Sequence, residues 1–251
     1  SLVPIGGQVE PQYLFHWLRA NRAYLESLGN GATFKEISKA VVSEIEIPLP
    51  SPNEQHRIVG ILNRANALRD KRREALAHLD ELTRSTFLDT FGDPARNDRD
   101  WSVATVGDLL DSAAYGTSEK ARSSGDIPIL RMNNITSTGE LDLTDLKYLD
   151  RSSVNDRHLV RRGDLLFNRT NSPEMVGKTA LYRPSDPAMF AGYLVRLRVN
   201  SRNGPEYLAA FLNSRYAKRV LRSMCKSIIG MANINAREVQ TINIPVPPLD
   251  I

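Results

Sequence analysis

From Ile58 onward the apolar positions of the chain recur three and four residues apart. Ile58, Ile61, Ala65, Leu68, Arg72, Ala75, Leu79, Leu82 and Thr86 fall on one line, and Leu62 and Leu76 widen it. This spacing predicts a long helix with a single seam of coiled-coil period. Arg72 is the exception on that seam. Ser51-Pro52-Asn53-Glu54 ahead of it has the form of a capping box, with Ser as N-cap and Pro at the first helical position. Gly92-Asp93-Pro94 stops it. Running from Pro52 to about Asp89, the helix would be a rod of roughly 55 Å at 1.5 Å per residue. An ordinary core helix is the plainer alternative, but few globular helices run so long.

The pattern before the rod returns near the end of the chain. Pro11, Tyr13, Leu14, Phe15 and Leu18 precede a match in Pro205, Tyr207, Leu208 and Leu212, with the Pro, Tyr and Leu positions at an offset of 194 residues. Ile45-Glu46-Ile47-Pro48-Leu49-Pro50 returns as Ile242-Asn243-Ile244-Pro245-Val246-Pro247 at an offset of 197. Between the two blocks, Ile37 and Val42 answer to Ile234 and Val239. Two blocks in one order, at nearly one offset, point to duplication of a whole domain, because the period is too long for a solenoid. The unit is a helix, a loop and an extended proline-rich exit. Only the tail of the first copy is expected in this chain.

From Trp101 the period shortens. Ile127–Met132, Gly163–Asn168, Thr179–Tyr182 and Tyr193–Val199 read as strands, with Leu194, Arg196 and Arg198 on one face of the last and Val195, Leu197 and Val199 on the other. Residues 205–228 return to helix, on an apolar stripe of Tyr207, Leu208, Phe211, Leu212, Val220 and Leu221. The second half is therefore an α+β domain closed by its own helix and exit.

Composition narrows the function. The 251 residues are 41% hydrophobic and 25% charged, an ordinary folded composition. Thirty-three basic against 29 acidic residues leave a net charge of +4, which permits a nucleic-acid partner without requiring one. Cys225 is the only cysteine, so no internal disulfide or cysteine zinc site can form. His16, His56, His78 and His158 lie too far apart in sequence for metal-ligand spacing, and no metal is expected. No apolar run approaches the ~20 residues of a membrane span. Ser1-Leu2-Val3-Pro4-Ile5 is expected to lie inside a longer protein.

No catalytic signature assembles. Ser172-Pro173-Glu174-Met175-Val176-Gly177-Lys178-Thr179 ends like a phosphate-binding loop, but Ser stands in place of the leading Gly and a strand follows instead of a helix. Asn171-Ser172-Pro173-Glu174 lacks the second proline and the aromatic of an amino-methyltransferase loop. Glu140, Asp142 and Asp145 follow Gly139 in what reads as a polar turn. The chain is expected to be non-catalytic and to need no cofactor.

Binding signals are better. Three loops are rich in groups that hydrogen-bond: Gly116, Thr117, Ser118, Lys120 and Arg122 after Tyr115; Arg131, Asn133 and Asn134; and Arg169, Thr170, Asn171 and Ser172, with Lys178 beyond. Arg and Asn read guanine and adenine edges bidentately, while Lys, Ser and Thr hold phosphates. Each loop alone also reads as turn chemistry. Together, at strand ends of one domain, they predict a groove reader. Arg215, Lys218, Arg219, Arg222 and Lys226 form a basic stripe at helical spacing, the wet face of a helix or a line along a phosphate backbone. Trp17 and Trp101 read as core anchors.

The entry Ile45-x-Ile47-Pro48-Leu49-Pro50-Ser51-Pro52-Asn53-Glu54-Gln55, followed by Ile58, Ile61 and Leu62, resembles the start of the central helix in the specificity subunits of type I restriction-modification systems. Ile127–Arg131, Gly163–Leu166 and Ile242–Leu249 resemble that family's target recognition domain from core to exit. The resemblance covers nearly the whole chain. It implies two target recognition domains, each reading one half of a bipartite double-stranded DNA target, held apart by two long antiparallel helices. It further implies a cytoplasmic, non-catalytic subunit that docks methyltransferase (modification) subunits and, through them, the restriction subunit, in phage defence.

On this resemblance the fold class is α+β: a mixed α/β target recognition domain plus a long coiled-coil-type helix. Residues 1–50 would be the C-terminal part of a first target recognition domain, 51–92 the conserved spacer helix and 93–251 the second target recognition domain. Most of the first domain is missing, and the second long helix is expected to begin where the chain stops, at Ile251. A lone rod leaves its Ile58–Leu82 seam wet, which at about 25 cal/mol per Å² forfeits many kcal/mol. Two chains are therefore expected to pair their rods antiparallel, with Arg72 near the dyad. A protein-interaction scaffold without specific DNA readout is the alternative.

Overall fold

The computed structural model describes Pro4 and residues 6–31, 36–173, 175–228 and 231–249. Ile251, Glu174 and the side chain of Lys226 lie outside the described residues. The chain divides into two compact units, Ser1–Leu79 and Asp80–Ile251.

The first unit holds α1 (Pro11–Ala20), α2 (Arg22–Leu28), α3 (Lys39–Ser43) and most of α4 (Pro52–Phe91). Pro11 starts α1, where its missing N–H costs nothing, and the Glu10 carboxylate caps it by accepting from Tyr13 N at 2.6 Å. Ser38 caps α3 through Val41 N at 3.3 Å. The Tyr13 hydroxyl reaches across to donate to Pro48 O at 2.8 Å and so fixes the extended exit against α1.

The helix α4 runs for 40 residues, a little beyond the expected end. Only half of the expected capping box is made. Ser51 Oγ accepts from Glu54 N at 3.4 Å, but the Glu54 carboxylate turns to Arg57 at 2.8 and 2.7 Å. Gln55, only 1% exposed, explains why this type stands in the first turn. Its Oε1 accepts from Glu10 N at 2.8 Å, and its Nε2 donates to Gln8 O at 3.0 Å and Pro50 O at 2.9 Å. With Val59 buried beside it, one amide joins three segments. From Ile61 to Thr83 every residue except Asn66 is exposed, the seam residues Leu62, Ala65, Leu68, Arg72, Ala75, Leu76, Leu79 and Leu82 included, while Ile58 is half-buried. Gly92, at φ +72°, ends the helix as expected.

The second unit takes the last turns of α4, where Phe87 and Phe91 pack on Tyr207 with ring centroids 6.3 and 4.8 Å apart. Its strands are β1 (Ser102–Thr105), β2 (Leu110–Tyr115), β3 (Ile127–Leu130), β4 (Lys147–Leu149), β5 (Leu159–Val160), β6 (Asp164–Asn168), β7 (Thr170–Asn171), β8 (Thr179–Leu181), β9 (Ala188–Phe190) and β10 (Leu194–Val199). There follow α5 (Pro205–Asn213), α6 (Arg215–Met224), β11 (Lys226–Ile228), β12 (Met231–Asn233), α7 (Ala236–Gln240) and β13 (Asn243–Val246). The central sheet is antiparallel in the order β2-β10-β6-β8. A second sheet, β4-β3-β9-β5, contains the parallel pair β3 and β9. Smaller sheets join β1 to β13 and β11-β12-β7.

The alternation read along β10 serves two cores. Val195 and Leu197, with Leu165, Phe167 and Leu181, face the core made with α5, α6 and α7. Leu194, with Leu166 and Ala180, faces the other, under Phe190 and Leu130. Of the two arginines on this second face one is buried and one half-buried. Arg196 is buried, donates to Leu159 O and lies 5.9 Å from the Phe190 ring centroid. Arg198 grips buried Asp164 through Nε and Nη2, both at 2.7 Å. The single helix expected over 205–228 is corrected to two. Ser214, extended at ψ 155°, breaks it and caps α6 through Ala217 N at 3.2 Å, and a strand begins at Lys226.

Candidate nucleic-acid interface

Three loops of the second unit meet at one turn, Ala191-Gly192-Tyr193, between β9 and β10. Thr117 N donates to Phe190 O at 2.9 Å, and Gly192 N returns a bond to Thr117 O at 2.8 Å. Ala191 N donates to Leu130 O at 2.9 Å, and Arg169 N to Tyr193 O at 3.1 Å. The stretches 115–122 and 168–172, and the end of β3 at Leu130 from which 131–134 leads off, are thus tied to one hub through main-chain atoms. Gly116 is required for the close approach, because a Cβ there would overlap the carbonyl oxygens of Phe190 and Ala191.

The expected contact residues divide into two groups. Ser118, Lys120, Arg122 and Asn133 are exposed, and Arg131, Arg169, Asn171 and Ser172 are half-buried. Thr117, Asn134, Thr170 and Lys178 are buried. Lys178 was expected on a phosphate. It is 6% exposed, and its ammonium donates to Met132 O and Ile135 O, so it holds that turn instead. Burial also holds its pKa below the usual lysine value. Asn134 was expected on a base. Its Oδ1 accepts from Arg131 N at 2.9 Å, and its Nδ2 donates to Asp142 O and Asp145 O at 2.9 and 3.0 Å, so both donors are spent within the fold and the side chain is buried. Thr117 Oγ1 accepts from Glu119 N at 3.1 Å and shapes its own turn.

Two of the arginines have counter-ions. Arg122 pairs with Asp150 at 2.7 Å and Arg131 with Asp145 at 2.9 Å. Arg169 has a different setting, on the ring of Tyr115, with Asn233 beside it. Asn168, buried next to it, has a carboxamide with no hydrogen-bond partner among the described residues. The basic stripe of α6 also divides. Arg215, Arg219 and Arg222 are exposed, but Lys218 turns inward to donate to Gly177 O. Burial, with Lys178 and Arg222 nearby, pulls its pKa down to about 8.

Sequence reasoning missed Tyr193 and Asn233. A glycine before an aromatic, Gly192-Tyr193, was an available turn signal, yet Tyr193 read as the first residue of a strand. Nothing local marked Asn233, which reaches the site only because β12 pairs with β7.

The long helix and the mixed-sheet domain with its three polar loops are those of an α+β protein. The sequence pattern of the type I restriction modification DNA specificity domain matches residues 2–77 and 98–251, and the chain belongs to that family. It is 30% identical over 156 residues to a putative type I restriction enzyme MjaX specificity subunit of Methanocaldococcus jannaschii, covering 60% of this chain and 36% of that protein. It is 25% identical over 256 residues to the type I restriction enzyme EcoKI specificity subunit of Escherichia coli, covering 94% of this chain and 55% of that one. The chain thus spans about half the length of the EcoKI subunit and about a third of the MjaX one. The fold is shared with the type I restriction-modification S subunit from M. genitalium at a TM-score of 0.57 and 17% identity, over 97% of this chain and 63% of that one. It is also shared with the HsdS subunit from Thermoanaerobacter tengcongensis at 0.50 and 23%, over 96% and 59%. No helix among the described residues is long and apolar enough to cross a membrane.

Proposed function

We propose that the chain is a DNA-recognition component of a type I restriction-modification complex and acts in the cytoplasm without chemistry of its own. Residues 93–251 form a target recognition domain that reads one half of a bipartite target. Residues 1–50 are the C-terminal part of another such domain, and 51–92 are the spacer. The observation that carries this reading is the hub at 191–193, which gathers three loops bearing Ser118, Lys120, Asn133, Arg169 and Asn171. In the test, the chain is titrated with a randomised duplex pool at several salt concentrations. A selected motif, with affinity falling steeply with salt as phosphate contacts release counter-ions, is expected. Binding that selects no motif at any salt concentration overturns the reading.

The exposed seam of α4 supports two further parts of the proposal. Leu68 and Leu82 are 68% and 61% exposed, and Leu76 is 52% exposed. Burying such residues is worth about 1.5–3 kcal/mol each. Two copies of the chain pair along this seam in antiparallel fashion, and the same helix docks the methyltransferase subunits, which bring in the restriction subunit. Light scattering at micromolar concentration is expected to give a dimer that Leu68→Glu with Leu82→Glu dissolves; a monomer at every concentration counts against the pairing. Co-purification with modification subunits is expected to fail in the same double variant. Retention of partner proteins through 54–89 by a chain that binds no DNA would instead favour a scaffold.

A further inference from the structure

Arg169 stands apart from every other cation of the interface. Its Cζ lies 5.0 Å from the centroid of the Tyr115 ring. Its Nη2 donates to Asn233 Oδ1 at 3.2 Å, and its Nη1 reaches Gly192 O at the long distance of 3.5 Å. Its Nε is buried with no hydrogen-bond partner among the described residues. No carboxylate within ion-pair distance is found for it among the described residues, whereas Arg122 and Arg131 each have one.

The surroundings hold this guanidinium in one place. The Arg169 backbone is pinned on both sides, its N–H on Tyr193 O at 3.1 Å and its carbonyl accepting from Ile234 N at 2.9 Å. The Tyr115 ring is pinned too, because its hydroxyl accepts from Ala236 N at 3.0 Å. Three segments distant in sequence thus converge on this side chain, which itself stands at the junction of β6 and β7: the end of β2, the hub turn and the end of β12. Stacking on a fixed ring costs the arginine its rotamer freedom before any ligand arrives, so less is lost on binding. It also leaves the guanidinium charge uncompensated except by the ring face and two neutral carbonyl oxygens.

A planar fork fixed in this way matches a pair of acceptors in one plane. Guanine presents such a pair, N7 and O6, in the major groove. Two phosphate oxygens would also fit this fork, and the position dependence and salt slope measured below tell the two apart. We propose that Arg169 is a specificity-determining residue that reads one guanine of the target, with Tyr115 as the positioning residue that aims it. This inference rests on the DNA-recognition reading above.

The test is selection from a randomised duplex pool by the full chain and its variants, followed by competition at each motif position and a salt titration. The native chain is expected to select a motif containing at least one strongly preferred guanine. Arg169→Lys and Arg169→Ala are expected to lose that preference on the order of tenfold at that position alone, while the other positions persist. Tyr115→Phe, which keeps the ring but gives up its bond to Ala236 N, is expected to weaken the preference less than Tyr115→Leu, which removes the ring, both at the same position. Thermal melting of Arg169→Lys close to that of the native chain separates readout from folding. A motif left unchanged at every position by Arg169→Ala overturns the inference while the DNA reading stands. A uniform loss across all sequences, with a salt slope shallower by about one, makes Arg169 a phosphate contact and also overturns it. A native chain that selects no motif overturns the broader reading and this inference with it.

Discussion

The two copies of the helix–exit unit share a skeleton and differ in cover. In each, a helix opens on proline, at Pro11 and at Pro205. In each, a tyrosine hydroxyl donates to the carbonyl of the first exit proline, Tyr13 to Pro48 and Tyr207 to Pro245. In each, a short helix before the exit is capped by a side chain, Ser38 in one and Asn235 in the other. Yet Leu208, Phe211, Leu212, Ile234 and Val239 are fully buried against the central sheet. Their counterparts Leu14, Trp17, Leu18, Ile37 and Val42 are only half-covered, and Phe15 is exposed. Leu14, Phe15, Leu18, Ile37 and Val42 instead line an open apolar groove with Pro11. The difference teaches that the hydrogen-bonded frame is local, whereas the stabilisation of its apolar face scales with what covers it.

The largest expected contrast is in that cover. Leu212→Ala should cost about 3–4 kcal/mol and Leu18→Ala less than about 1 kcal/mol, read as urea midpoints. Equal losses would break the comparison. Next come the tyrosines. Tyr207→Phe leaves the Pro245 carbonyl buried without its donor and should cost about 1–3 kcal/mol, against about 0.5–1 kcal/mol for Tyr13→Phe, where water reaches the exposed Pro48.

A third contrast is in pH. Lys218 belongs to the covered copy, and its folded pKa of about 8 lies below the ordinary 10.5. Below pH 8 both folded and unfolded chains hold the proton, and the cost of the buried charge is fully present. Between the two values the unfolded chain alone holds it, so stability rises with pH, by on the order of 1 kcal/mol between pH 7.5 and 9.5. Lys218→Met should flatten that rise, and an unchanged pH slope in the variant would show that Lys218 is not its source. The smallest contrast is in the caps. Asn235 accepts from both Arg237 N and Glu238 N at 2.9 Å, and Asn235→Ala should lower the unfolding free energy by about 1–2 kcal/mol. Ser38→Ala, losing one 3.3 Å bond, should cost about 0.5 kcal/mol.

The rod, the repeat and the strand periodicity were legible because each is a local rule repeated along the chain. The break at Ser214 was not, since an apolar stripe runs on across it and only the capping geometry interrupts the helix. At the site, the loops were legible as clusters of polar residues, but their division into buried and open members was not. Whether Lys178 or Asn134 meets solvent depends on which carbonyls the tertiary fold brings within reach, and these come from 43 and 46 residues away for Lys178 and from 8 and 11 residues away for Asn134. The alternation placed Arg196 and Arg198 on one strand face with Leu194, but nothing local marked Arg196 as buried or Arg198 as half-buried on Asp164.

The hub at Ala191-Gly192-Tyr193 holds its loops by amide and carbonyl groups that every residue type except proline supplies in full. Substitution on those loops, Gly116 excepted, therefore leaves the attachment intact while altering what the loops display. If these loops read DNA as proposed, mutation can retune their preference one position at a time, without first having to invent a new scaffold.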